Sequence, residues 1–144
     1  PAPTALGGPI VATPALDDGV LYVITDHGNL YLLDAKSGAR LAPPTPIGGR
    51  HWAKPIISGG RVYIAGVDES FTAVSSSDGS TQWSTDIGST AGDPVVDGTV
   101  LLVPPFDRRI HAPDLSANGA ERWTSGGHGD GWFRGSPVID GQTV

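Results

Sequence analysis

The sequence has 144 residues, a net charge of −6, 21 glycines and 13 prolines, and it contains no cysteine. The lack of cysteine excludes disulfides, iron–sulfur clusters and cysteine-based zinc sites, and the lack of a Lys/Arg stripe argues against a nucleic-acid partner. No apolar run approaches the roughly 18 residues that a membrane-spanning helix needs.

One pattern recurs along the chain, and each copy begins at a proline. Pro14, Pro55, Pro94 and Pro137 follow one another at intervals of about 40 residues. Each proline opens a short apolar run, a two-residue turn of the Asp-Gly or Gly-Gly kind and a second apolar run. These turns supply the positive φ that tight hairpins need, so each copy is predicted to begin with a β-hairpin. The fourth copy stops partway, at Val144.

Two further strands are predicted in each complete copy. A polar turn leads into a third strand, for which the predicted ranges are 30–34, 71–75 and 110–114. A glycine turn then leads into a fourth strand, which holds Trp83 or Trp123, with Leu41 in the matching place of the first copy. Pro113 interrupts the third strand of the third copy, so the outer strands of that copy are expected to be short or irregular.

The repeated motif resembles the PQQ-like β-propeller repeat. The clearest stretch runs from Gly19 to Gly38, where Asp34-Ala35-Lys36-Ser37-Gly38 stands in place of the family's Asp-Ala-x-Thr-Gly. The resemblance implies an all-β fold, a β-propeller with four-stranded antiparallel blades, of which about three and a half blades are present. It points to non-catalytic members of the family, such as outer-membrane assembly lipoproteins and the sensor domains of bacterial kinases.

The repeat divides the chain into blades. Residues 1–9 are interpreted as a linker or the end of a preceding blade, followed by blade 1 at 10–50, blade 2 at 51–89, blade 3 at 90–130 and the first part of a further blade at 131–144. Closed propellers need at least four blades, so the chain is expected to be part of a longer propeller or to close a ring by self-association. The opening Pro1–Ala5 resembles the end of an extracytoplasmic linker, which favours a periplasmic or cell-surface location.

Strand counting predicts that the functional residues lie on one face. The top face comprises the second-to-third strand turns and the connections between blades, whereas the bottom face comprises the other turns, which are small and polar. The candidate binding residues on the top face are His51, Trp52, Lys54, Trp132, Phe133, Arg134, His27 and Arg108. A planar anionic ligand would stack on Trp52 or Trp132 and pair with Lys54 or Arg134. Alternatively, these aromatics fill space between blades, the role predicted for Trp83 and Trp123.

The remaining chemistry favours binding over catalysis. Neither a catalytic triad nor a metal site is predicted, and no cofactor is expected. The resemblance also includes PQQ-dependent dehydrogenases, but these pair adjacent cysteines near the quinone, and this chain has none. The favoured function is a scaffold that binds a protein partner, or the remaining propeller blades, through the top face. The alternative is an extracytoplasmic sensor, such as that of a bacterial Ser/Thr kinase, which would hold a small ligand at the channel mouth between Trp52 and Trp132. A dehydrogenase segment is the third possibility.

Overall fold

The computed structural model describes residues 4–90, 92–104, 106, 109–126 and 136–140. Within this described part, the strands form three four-stranded antiparallel sheets, and one short 3₁₀ helix is the only helical element. No helix in these ranges is long and apolar enough to cross a membrane.

The first sheet contains β1 (Ala15–Asp17), β2 (Val20–Thr25), β3 (Asn29–Asp34) and β4 (Thr45–Pro46), in that order. The turn between β1 and β2 has positive φ at both Asp18 and Gly19. This geometry matches the right-handed twist of the strands, as the Asp-Gly motif predicts.

The second sheet has the longest fourth strand of the three. It contains β5 (Ile56–Ser58), β6 (Arg61–Ala65), β7 (Ser70–Ser75) and β8 (Thr81–Asp86), again in chain order. Each strand pairs with the next along the chain, because short turns allow only adjacent antiparallel partners.

The third sheet contains β9 (Val95–Asp97), β10 (Val100–Leu102), β11 (His111–Asp114) and β12 (Ala120–Thr124), with the 3₁₀ helix Leu115–Ala117 between the last two. The register of β11 against β12 shifts between Ala112 and Pro113. The second sheet has the same shift at the equivalent place, between Ala73 and Val74, so Pro113 is not its cause. The outer strands of the third copy are nevertheless short, as the sequence predicts, with four and five residues in β11 and β12 against six in each of β7 and β8.

The sheets pack face to face through their apolar side chains. Tyr22, Ile24 and Leu32 of the first sheet form one buried cluster with Val62 and Ile64 of the second. A second cluster joins the second and third sheets, and its buried members are Tyr63, Ala65, Phe71, Ala73, Ile87, Leu101, Val103 and Leu115. The innermost strands β1, β5 and β9 contact one another in turn. The described sheets therefore form a partial β-propeller, and the predicted fold class is confirmed.

The first sheet differs from the prediction at its outer edge. The sequence predicts Leu41 within the fourth strand, and this part of the chain does pair with β3: Arg40 bridges Leu33, and the amide of Leu41 donates to the carbonyl of Leu32 at 2.9 Å. The pairing is then interrupted and resumes only at β4, Thr45–Pro46. Pro43 and Pro44 lie in the interruption and have no N–H to donate, and the side chain of Leu41 is 53% exposed, unlike the inward-packed Trp83.

The segment 4–9 covers the outer face of the first sheet. Leu6 packs against the buried residues Val23, Tyr31 and Leu33. The hydroxyl of Thr4 donates to the carbonyl of Gly38, and Thr45 makes the same bond to Gly79 of the next sheet at 2.6 Å. Thr4 therefore makes the same hydrogen bond to the first sheet that Thr45 of β4 makes to the second sheet.

An Asp–Ser turn recurs on the bottom face of each sheet. One carboxylate oxygen accepts a serine amide and the hydroxyl of the same serine, at 2.7 and 2.6 Å for Asp34 with Ser37 and at 2.8 and 2.6 Å for Asp114 with Ser116. Hydrogen bonds from the serine hydroxyl and then from its amide hold the pKa of each carboxyl below its usual range. The pKa of Asp78 is lowered in the same way, by hydrogen bonds from the backbone amide of Ser80 and from the hydroxyls of Ser75 and Ser80.

These turns make stability depend on pH. A carboxyl group whose pKa is lower in the folded than in the unfolded protein stabilises the fold. This stabilisation is complete at pH values above the pKa of the unfolded state, and it is lost as the pH falls through the pKa of the folded state. We therefore expect the thermal midpoint to fall as the pH is lowered from about 5 to about 2. Ser37→Ala removes a donor without changing charge and should make this fall shallower, as thermal melts followed by circular dichroism would show. An unchanged pH profile in Ser37→Ala would contradict this role of the turn.

Candidate functional site

The loops of the top face are held to one another by a recurring backbone bond. In each case, an amide in the second-to-third strand turn donates to a carbonyl in the preceding connection, at 2.8–2.9 Å. The three donor–acceptor pairs are Asp26 with Pro9, Val67 with Arg50 and Phe106 with Ser89. Because each connection is fixed against the next turn, side chains on this face project from an ordered backbone.

The connection between the first two sheets presents one large aromatic side chain to solvent. His51 and Ala53 are buried, with exposed fractions of 0% and 1%, whereas the intervening Trp52 is 48% exposed. Two buried side chains on either side of Trp52 fix the direction of its Cα–Cβ bond. The exposure of Trp52 therefore follows from how its neighbours pack.

His51 lies where no ligand can reach it in this structure. Its Nε2 is 2.6 Å from the carbonyl oxygen of Gly48, and its Nδ1 is 3.3 Å from that of Ala65. A neutral imidazole carries one N–H, and the shorter distance indicates that Nε2–H donates to Gly48. We correct the predicted role of His51 accordingly, since a fully buried ring that joins the connection to the end of β6 serves to position the loop.

Charged residues flank Trp52 in the sequence, two positions away on either side. The exposed residue Lys54 is anchored by its own amide, which donates to a carboxylate oxygen of Asp93 at 2.7 Å. Arg50 Nε lies 3.7 Å from Asp26 Oδ1, and their side chains are 66% and 24% exposed. Such an exposed pair contributes at most about 1 kcal/mol to stability, so it orients the side chains more than it stabilises the fold.

The other predicted site residues are placed as follows. His27 is exposed at the neighbouring turn, and its Nδ1 lies 2.6 Å from the carbonyl of Gly7 in the segment 4–9. Trp132, Phe133, Arg134 and Arg108 lie outside the described residues. The structure therefore brings Trp52 and Lys54 together on one loop, and the ion pair between Asp26 and Arg50 places the turn of His27 beside that loop.

Trp83 and Trp123 occupy the same position of the repeat but have different surroundings. The ring of Trp83 lies 6.0 Å from Tyr63 and 5.5 Å from Phe71, and it packs against the cluster between the second and third sheets. A methyl group added at Gly119 of the third sheet would lie only 2.5 Å from this ring. Trp123, on the outermost strand of the third sheet, is 42% exposed.

Among the described residues, two surface cavities lie between the second and third sheets and another lies beside Asp68 and Glu69 of the second sheet; Trp52 lines none of these. In the same part of the chain, no group of three or more His, Asp or Glu side chains is arranged to hold a metal ion. The cavity between the second and third sheets on the bottom face is lined by Arg61, which is not among the binding residues predicted from the sequence. The sequence does mark Arg61 as unusual, because valine occupies the same position in the other two complete copies, as Val20 and Val100.

The antiparallel four-stranded sheets and their recurring proline and glycine turns define a propeller of PQQ-like repeats. The chain belongs to the family described as outer membrane protein assembly factor BamB, whose model matches residues 3–144.

Solved structures with this fold include an assembly factor and two enzymes. BamB from Moraxella catarrhalis is 27% identical, with a TM-score of 0.72 over 82% of this chain and 37% of that one. Quinohemoprotein alcohol dehydrogenase from Comamonas testosteroni is 19% identical, with a TM-score of 0.64 over 82% of this chain and 21% of that one. The corresponding enzyme ADHIIG from Pseudomonas putida HK5 is 21% identical, with a TM-score of 0.66 over 85% and 21%.

The chain therefore spans well under two thirds of the length of these proteins. The likeness to the two dehydrogenases concerns the fold alone. No curated protein matches the chain.

Proposed function

We propose that this chain is a non-catalytic propeller scaffold that binds a protein partner through its top face, with Trp52 as the central contact. Membership of a family described as an outer membrane protein assembly factor supports this function, and it favours an extracytoplasmic location. The observation that carries the proposal is the 48% exposure of Trp52 on a connection whose neighbouring side chains are buried.

An exposed tryptophan on a fixed loop is well suited to bind a protein. Tryptophan is among the residues that contribute most to interfaces, because it buries a large area with few rotatable bonds. The buried neighbours His51 and Ala53 already hold the loop in place, so little further ordering is needed on binding. Arg50 and Lys54 would pair with acidic groups at the rim of the partner.

A protein partner is favoured over a small ligand by the family and by the exposure of Trp52. An aromatic side chain that is 48% exposed suits a surface that a folded partner covers, whereas a ligand pocket encloses most of its ligand. A family described as an outer membrane protein assembly factor also points to protein partners. The bond between Thr4 and Gly38 further supports the interpretation of residues 4–9 as the end of a preceding blade.

Site-specific photo-crosslinking in cells would test the proposed surface. A photoreactive amino acid at position 52 should capture a discrete protein partner, whereas the same residue at position 41 should not. Leu41 is a matched control because it is also an exposed apolar residue, at 53%, and lies outside the top face. Equal capture at both positions, or no capture at position 52, would contradict the proposal.

The Trp52→Ala variant gives the corresponding affinity. We expect it to weaken binding to the captured partner by about 10- to 100-fold, since central tryptophans commonly contribute about 2 kcal/mol or more. Isothermal titration calorimetry with the purified partner would measure this loss, and an unchanged circular dichroism spectrum would show that the fold is retained. Leu41→Ala should bind as the wild type does. If Trp52→Ala unfolds instead, the ring has a packing role.

A further inference from the structure

The two contacts between neighbouring sheets differ at one equivalent place on the bottom face. Between the first and second sheets, the hydroxyl of Tyr22 donates to the carbonyl of Ser76 at 3.0 Å and closes the contact. Tyr63 takes the place of Tyr22 in the next copy, and its hydroxyl has no hydrogen-bond partner among the described residues. A cavity of about 160 Å³ opens there instead, and Tyr63 forms part of its wall.

Arg61 lines the same cavity. In the other two complete copies, the first residue of the second strand is Val20 or Val100, so an arginine here departs from the repeat. Arg61 is half-buried, and within the described chain its guanidinium has neither an ion pair nor a hydrogen bond. Partial burial of an unpaired cation is costly, and an anion in the cavity would offset that cost.

The lining of the cavity is rich in hydrogen-bond donors. Besides Arg61 and Tyr63, the residues that line it include Ser58 and Thr99, each of which carries a hydroxyl group. The nearby Asp114 does not compete for Arg61, because one of its oxygens accepts two bonds from Ser116 and the other lies 3.9 Å from Arg122.

We propose that this cavity, on the face opposite Trp52, binds a single carboxylate group. One guanidinium balances one negative charge, and its planar fork matches the two oxygens of a carboxylate. The phenol ring of Tyr63 and the side chain of Leu115 provide an apolar wall for the carbon chain that carries the acid. The carboxylate belongs either to a free small acid or to an acidic side chain of a protein.

The test is a nuclear magnetic resonance titration of the full chain with sodium acetate. The amides of Gly98 and Thr99, which line the cavity, should shift in a saturable manner with millimolar affinity. Arg61→Val should weaken the affinity at least 10-fold, and it should fold because valine occupies this position in the other copies. Tyr63→Phe should weaken it about 3-fold, the loss expected for one neutral hydrogen bond. Lys36→Val removes the same charge from an exposed turn of the first sheet and should bind as the wild type does.

The source of the carboxylate is distinguished by two capped peptides that differ only in carrying glutamate or glutamine. Competition of the glutamate peptide with acetate, and none from the glutamine peptide, identifies a protein side chain; binding of acetate alone identifies a free acid. No saturable shift up to roughly 50 mM acetate would overturn the proposal, as would unchanged binding in Arg61→Val. If Arg61→Val does not fold, unchanged binding in Tyr63→Phe overturns it. Trp52→Ala should bind acetate normally, so this test is independent of the proposed function.

Discussion

Replacement of Trp83 by alanine is expected to lower the free energy of unfolding by about 3 kcal/mol. The indole contacts Tyr63 and Phe71 in its own sheet and Gly119 in the next, so its removal leaves a void between two sheets. A void of this kind costs the lost apolar burial and the lost packing contacts together, because neighbouring backbone cannot move in to fill it. Urea denaturation followed by fluorescence or circular dichroism would measure the change.

Two variants separate packing from the other properties of this ring. The Nε1 atom of Trp83 is buried without a hydrogen-bond partner in the described part of the chain. Trp83→Phe removes that N–H and keeps a ring, so it should cost less than about 1.5 kcal/mol. Trp123→Ala, at the same position of the next copy but 42% exposed, should cost about 1 kcal/mol. Equal losses in Trp83→Ala and Trp123→Ala would contradict the packing argument.

The architecture could be predicted because its determinants are local. The turn at Asp18 and Gly19 needs positive φ at both residues, and that requirement is visible in two letters of sequence. The recurrence of the same signals about every 40 residues then identifies the propeller repeat. The alignment of the copies correctly places Leu41 beside β3, but it does not predict that Pro43 and Pro44 divide the fourth strand of the first copy.

The site could be predicted only in part, because its details depend on contacts between distant residues. Histidine is as compatible with a buried position as with an exposed one, and the burial of His51 depends on carbonyls of Gly48 and Ala65 that approach only in the folded chain. The cavity at Arg61 similarly depends on two sheets meeting without the bond that Tyr22 makes elsewhere. The departure of Arg61 from the valine of the other copies is visible in the sequence, whereas the cavity beside it is not.

The two proposed sites use opposite faces of the same sheets for different chemistry. Trp52 offers a broad apolar contact of the kind that a folded partner covers, whereas Arg61 lines a small cavity suited to one acidic group. The strands between these faces belong to the repeat and form the buried clusters of the fold. Variation at Trp52 and Arg61 can therefore alter binding while the repeat maintains the fold.

Replacement of His51 by alanine is expected to reduce stability and partner binding together. The buried imidazole joins the connection at Gly48 to the end of β6 at Ala65, and its removal leaves a carbonyl without its donor inside the protein. A loss of about 2 to 3 kcal/mol in the free energy of unfolding should result. Freed from this anchor, the loop would have to be ordered again on binding, so the affinity for the partner should fall even though Trp52 is intact.

The contrast with Trp52→Ala distinguishes a positioning residue from a contact residue. Trp52→Ala should weaken binding at unchanged stability, whereas His51→Ala should change both and also speed hydrogen exchange at the amide of Val67, which donates to Arg50 in the same connection. Denaturation, calorimetry and hydrogen exchange on the two variants would measure these effects. If His51→Ala lost affinity with no loss of stability and no faster hydrogen exchange, His51 would have to contact the partner directly. The positioning role would then be wrong, because a buried imidazole could make that contact only after the loop rearranged.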